Sequence, residues 1–212
     1  MNAVRRIYPF NAEQTLNILS EIGPIFTMFV VNFAFGVKVG VWSLIATTLI
    51  ALVASLVVLR RPPIMPFIAG AVTITFGALT LATGDPMWVQ IKVTLFNALV
   101  AVLLWVGLRR EKYFFEFVFG KTFNYTPTGW RQLTRNAAIF FLVTAIANEA
   151  VRLGFNNVEI PFKNRVLTGL DIWMMFKLFV VMPLTSVFFV WQIKEMQKHR
   201  VPDTPVGSQM PS

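Results

Sequence analysis

The sequence predicts an all-α fold, a polytopic integral membrane helical bundle. Six spanning helices are expected, five in the alternative, with an amphipathic helix on the cytoplasmic membrane surface. Three observations carry this. Hydrophobic residues make up 56% of the 212 positions and charged residues only 14%, where a soluble domain averages roughly a quarter charged. The apolar residues fall in blocks of about 20, the length that crosses a bilayer core of ~30 Å. Lys and Arg outnumber Asp and Glu by 19 to 10 and gather between alternate blocks, as the positive-inside rule requires. That rule explains the formal charge of +9 with no nucleic acid as partner.

The first block, Leu16 to Val37, contains Glu21, Gly23 and Pro24 near its start. A helix that began only at Pro24 would be too short to span, about 20 Å. A kinked or tilted spanning helix is favoured, because proline both opens helices and bends longer ones. An interfacial or re-entrant segment would leave five spans. Arg5 and Arg6 precede no short apolar run with a cleavage site, so a cleaved leader is not expected.

The second block, Val39 to Leu59, is uncharged and stops at Arg60-Arg61-Pro62-Pro63. The third, Ile64 to Ala82, ends in the turn Thr83-Gly84-Asp85-Pro86. A fourth runs from Met87 to Leu108, a fifth from Leu133 to Val151 and a sixth from Ile172 to Ile193, where Pro183 should kink the helix. Six spans put 13 basic residues on one side and four, Lys38, Arg152, Lys163 and Arg165, on the other. Both termini are therefore expected in the cytoplasm. Residues 1–15 form an N-terminal segment, 16–193 the membrane domain, and 194–212 a tail expected to be disordered. No repeat is visible, so an inverted-repeat transporter is not supported.

Between the fourth and fifth blocks, Arg109, Lys112 and Glu116 share one helical face while Tyr113, Phe114, Phe117 and Val118 share another. Such a helix, from Arg109 to about Phe119, would lie on the membrane with its basic face at anionic headgroups. Trp130 is expected at the interface, in the turn that follows. The outer loop from Arg152 to Gly169 has room for a short helix or hairpin.

A charge in mid-membrane costs about 2.5–3.5 kcal/mol on insertion scales. Lys92 and Lys177 lie five or six residues inside the outer ends of their helices, with Glu149 beside Asn148 at a similar level. Either both lysines face Glu149 in a polar cluster with Asn97 and Asn148, or their stems snorkel to the interface. The cluster would bind a lipid headgroup or line a solute path. In the third block Gly70, Thr73, Gly77, Thr80 and Gly84 lie within about 80° of one face. Packing inside the monomer is favoured for that stripe over a homo-oligomer contact. Gly36-Val-Lys-Val-Gly40 has the same spacing but falls at a loop and is discounted.

There is no cysteine, and the one histidine, His199, lies in the basic tail. Phosphate-binding, dinucleotide, zinc-protease and nucleophile-elbow motifs are all missing. No enzyme activity, cofactor or metal is expected.

Several pieces resemble one family in order and spacing. They are Glu21-Ile-Gly-Pro24 before a Phe-rich helix, Phe76-Gly-Ala-Leu-Thr80, Trp88-Val-Gln-Ile-Lys92-Val-Thr94, Trp130-Arg-Gln-Leu-Thr134, Phe140-Phe141 with Ala147-Asn148-Glu149, and Trp173-Met-Met-Phe-Lys177 before Pro183-Leu-Thr185. From about residue 16 to 193 the chain resembles the bacterial intracellular septation protein A (inner membrane-spanning protein YciB) family. The resemblance implies an inner-membrane protein linked to envelope integrity, elongation and septation, with no established catalytic residue or ligand. On that basis the expected function is a scaffold whose partners are membrane lipids and cell division or elongation membrane proteins. The alternative is a small transporter or a lipid- or ion-binding channel-like protein using the polar cluster.

Overall fold

A computed structural model describes residues 12–59, 64–120, 123–162 and 165–201. The elements are α1 (Ala12–Phe35), α2 (Val37–Leu59), α3 (Ile64–Thr83), α4 (Met87–Arg109), α5 (Phe114–Phe119), α6 (Pro127–Gly154), β1 (Glu159–Phe162), β2 (Arg165–Thr168), α7 (Gly169–Phe176) and α8 (Met182–Gln197). Among the described residues, four segments are long and apolar enough to cross a membrane: Val37–Val58, Met87–Arg109, Pro127–Gly154 and Gly169–Gln197. Shorter apolar stretches, Ile22–Phe35 and Phe67–Thr83, belong to α1 and α3. The protein is an all-α polytopic membrane protein. α1 continues unbroken through Pro24 for 24 residues, about 36 Å.

The chain divides into two compact units, Met1–Val93 with Asn148–Val180 and Thr94–Ala147 with Val181–Ser212. In the first, α1 packs on α2 and α7, and α2 packs on α3. Met28, Val41, Leu44, Trp173 and Met174 are buried here. Gly36 alone joins α1 to α2 at φ 86°, a left-handed conformation that costs other residues a steric clash. Its N–H closes on the Asn32 carbonyl at 2.9 Å. Four residues on, a Cβ at Gly40 would stand 2.7 Å from the Asn32 Cβ. The Gly36–Gly40 spacing discounted from sequence thus has a role: one glycine makes the turn and the other lets two backbones meet.

The loop after α6 is an antiparallel hairpin, with Ile160 opposite Leu167 and Phe162 opposite Arg165. α7 opens directly from it. At Lys177–Val181 the helix widens into a π turn before α8, which carries Pro183 at its start. Where a kink was expected at Pro183, the structure has this π turn, ending two residues before the proline. Proline has no N–H for the preceding turn and its ring crowds the carbonyl there, and a wider turn gives that ring room.

In the second unit Leu104, Ala137 and Ala138 form a core against Val100, Leu108, Phe115, Phe141 and Phe188. Phe140 stacks on Phe188 with centroids 4.1 Å apart, and Asn136 donates to Gln192 at 3.3 Å. α6 begins at Pro127, six residues before the expected block, because proline suits a first helical position. Trp130 consequently lies in the first turn of α6, buried, instead of in an interfacial turn. The tail also departs from expectation. α8 continues to Gln197, the Thr126 N–H donates to the His199 carbonyl at 2.9 Å, and the Val201 N–H donates to the Asn124 carbonyl at 3.0 Å. Structure therefore extends past Lys194, and Pro202–Ser212 lie outside the described residues.

Candidate functional site

The helix expected over Arg109–Phe119 is shorter in the structure. Arg109 is the last residue of α4, and Glu111 follows at φ 53°. The Lys112 N–H returns to the Gly107 carbonyl at 2.9 Å and the Glu111 N–H to the Leu108 carbonyl at 3.4 Å. This is a Schellman-type stop, which satisfies the orphaned carbonyls at the helix end. Lys112 and Tyr113 thus fall between the two helices, and only Phe114–Phe119 is helical. Phe115 packs against the core of its unit, whereas Phe114 and Phe117 are exposed, Phe117 by 86%. A phenylalanine that open to water is unfavourable, and membrane contact would relieve it.

The small-residue stripe of α3 lies against α2. A Cβ at Gly70 would meet Leu52 at 2.7 Å, and one at Gly77 would meet Ile45 at 3.0 Å. Thr80 is buried. Gly84, assigned to the same face, instead ends the helix at φ 76° with open space around it. Thr73 turns toward α4, where the Lys92 ammonium donates to its hydroxyl oxygen at 2.8 Å. Two sets of residues singled out separately, the stripe and the polar cluster, are joined by this bond.

Lys92 bonds Thr73 and not Glu149, because its side chain crosses to α3. Glu149 pairs with Arg152, one turn along α6, whose Nε lies 2.9 Å from the carboxylate. The Lys177 ammonium stands 5.5 Å from the centre of the Trp173 ring, a cation–π distance. Asn148 is buried and ties three elements: it accepts from the Trp173 indole at 2.8 Å and donates to the Gln90 carbonyl at 3.3 Å. Asn97 is buried in the other unit.

A second enclosed polar contact was missed from sequence. Asp171 is 1% exposed and Asn32 2%. Asn32 Nδ2 donates to Asp171 Oδ1 at 2.7 Å, while Asp171 Oδ2 accepts from the Thr168 N–H and hydroxyl at 2.9 and 3.0 Å. One carboxylate caps α7 and holds α1 to it. Half of this was readable: Thr168-Gly-Leu-Asp171 before an apolar run is the spacing of a capping box. Nothing local marks Asn32, whose role comes from a residue 139 positions away. Beside this contact is a cavity of about 330 Å³ lined by Asn32, Phe33, Ala34, Gly36, Val37, Val166, Thr168 and Asp171. Among the described residues, no group of three His, Asp or Glu side chains converges as a metal site would need.

Apolar helices of spanning length, tied by a few buried polar contacts, define a small multi-pass membrane protein. The intracellular septation protein A family profile matches residues 16–203. The chain belongs to the intracellular septation protein A family. It is 33% identical over 184 residues to the inner membrane-spanning protein YciB of Afipia carboxidovorans, covering 87% of this chain and 86% of that one. The protein of that name from Brucella melitensis is 33% identical over 203 residues, covering 89% and 86%. That of Mesorhizobium japonicum is 31% identical over 209 residues, covering 92% and 88%. No solved structure matches the chain. The chain is thus an inner-membrane protein that its family links to septation, and the family is not named for an enzyme activity.

Proposed function

We propose that this protein is a non-enzymatic scaffold of the bacterial inner membrane, supporting envelope integrity, elongation and septation by holding partner membrane proteins. The observation that carries the reading is where the interior polar side chains go. Asn32, Asn148, Trp173 and Asp171 bond to one another's helices within the first unit, and Asn136 does so with Gln192 in the second. Polar groups committed in this way fix helix positions and are not free to pass a solute. The outward residues are apolar, including Leu99, Leu103, Val187 and Ile193. Depleting the protein from its cells should disturb division, and the wild-type chain should restore it. Purified protein in liposomes should pass ions and small solutes no faster than empty liposomes do. Sustained flux would instead favour the transporter reading.

The proposal includes six spans, α1, α2, α3, α4, α6 and the α7–α8 pair, with both termini in the cytoplasm. Reporter fusions after residues 60, 110 and 200 should read cytoplasmic, and one at Gly84 periplasmic. A periplasmic N-terminus with the other readings unchanged would reduce the count to five.

α5 is assigned to the cytoplasmic membrane surface. Spin labels at positions 114 and 117 should be shielded from water in liposomes and one at 112 exposed. Equal exposure at all three would remove α5 from the membrane.

A further inference from the structure

Among the described residues, Lys92 is a cation without a carboxylate partner. Among the described residues its one partner is the Thr73 hydroxyl. That hydroxyl spends its own proton on the Ala69 carbonyl at 2.7 Å, so Lys92 is the donor and keeps two further N–H groups. Three described carboxylates of the same unit are engaged elsewhere: Asp85 accepts the Met87 N–H, Glu149 pairs with Arg152, and Asp171 serves Asn32 and Thr168. A charge in an apolar interior is stable when paired.

The ammonium points away from the near surface. Lys92 is five residues from the start of α4 at Met87, about 7.5 Å. Its partner Thr73 is ten residues from the end of α3 at Thr83, about 15 Å. Those two helix ends are joined by the short Gly84–Pro86 turn and share a level. The side chain therefore reaches toward the middle of a ~30 Å core, the reverse of snorkelling. Phe76 and Trp88, with ring centroids 6.4 Å apart, stand between the Lys92–Thr73 bond and that turn. Apolar rings at that level disfavour headgroups and water, so a counter-ion for the ammonium is to be sought from within the membrane.

We propose that Lys92 is a docking point for a carboxylate carried on a membrane-spanning helix of a partner protein. Depth selects this occupant, since lipid phosphates lie outside the hydrocarbon core. Charge selects the side chain, since an Asp or Glu there has the same need for a counter-ion. The assignment rests on the scaffold reading and names the chemistry of one partner.

The test uses the full chain in liposomes of phosphatidylethanolamine and phosphatidylglycerol. Single-span Leu/Ala host peptides carry Glu or Gln at mid-depth, and association is read by energy transfer. The Glu peptide should associate at least about tenfold more tightly than its Gln twin. Lys92→Met should abolish the difference and Lys92→Arg should keep it. Lys92→Glu should transfer the preference to a Lys peptide, a gain that misfolding cannot produce. Equal association of the Glu and Gln peptides, or a preference that survives Lys92→Met, overturns the proposal. So does loss of the preference as phosphatidylglycerol is raised, which would make a lipid headgroup the occupant. If cellular partners are captured while the peptides show no preference, only the Lys92 assignment fails and the scaffold stands.

Discussion

Replacing Asp171 by alanine is expected to lower stability by about 2–4 kcal/mol. The cap of α7 contributes about 1 kcal/mol, and stranding the buried Asn32 amide costs about 1–3 more. Asp171→Asn should cost less, since an amide oxygen still accepts from one side, but its NH2 then opposes a donor on the other. Asn32→Ala in the Asp171→Ala background should cost much less than it does alone, because its partner is already gone. Thermal unfolding in detergent reads all four proteins. Additive single effects would mean that the 2.7 Å contact between α1 and α7 carries no coupling.

Gly40→Leu should be of similar size, about 1–3 kcal/mol, by overpacking. The introduced Cβ would stand 2.7 Å from the Asn32 Cβ and 3.0 Å from its Cα. Both are close to main chain, so no flexible side-chain end can move aside and the helices must separate. Separation also pulls Asn32 from Asp171, so the variant should lose the α7 contact as well. Gly36→Ala is the contrast. Nothing lies within 4 Å of its Cβ, and only the left-handed backbone at φ 86° is penalised, at about 1 kcal/mol. If Gly36→Ala were the more damaging of the two, the turn and not the close approach would govern this hairpin.

Two of the long apolar helices were legible almost to the residue because hydropathy is a local property. Val39–Leu59 and Met87–Leu108 differ from α2 and α4 by two residues or fewer at either end. The start of α6 was missed because Tyr125-Thr126-Pro127 reads equally as a turn and as a helix entry, and in the structure Tyr125 instead bridges to Arg200 while the helix opens at Pro127. The site was legible in part. Lys92 and Asn148 stood out as polar residues in apolar blocks, and both make interhelix contacts. Their partners did not stand out. Thr73 was read as a small packing residue, and Gln90 acts through its backbone carbonyl, which no side-chain pattern reveals. The Arg109–Phe119 helix failed because periodicity ignores how a chain stops. Glu111 adopts a conformation rare outside glycine, and nothing in its neighbours announces it.

Proximity labelling tests the central claim most directly. A labelling enzyme is fused after Ser212, and the protein is kept at native level in dividing cells. The scaffold account predicts that inner-membrane proteins of septation and elongation are labelled well above an unrelated multi-pass protein of equal abundance, and most strongly where septa form. A labelling pattern indistinguishable from that control, in cells whose division depends on the protein, would contradict it.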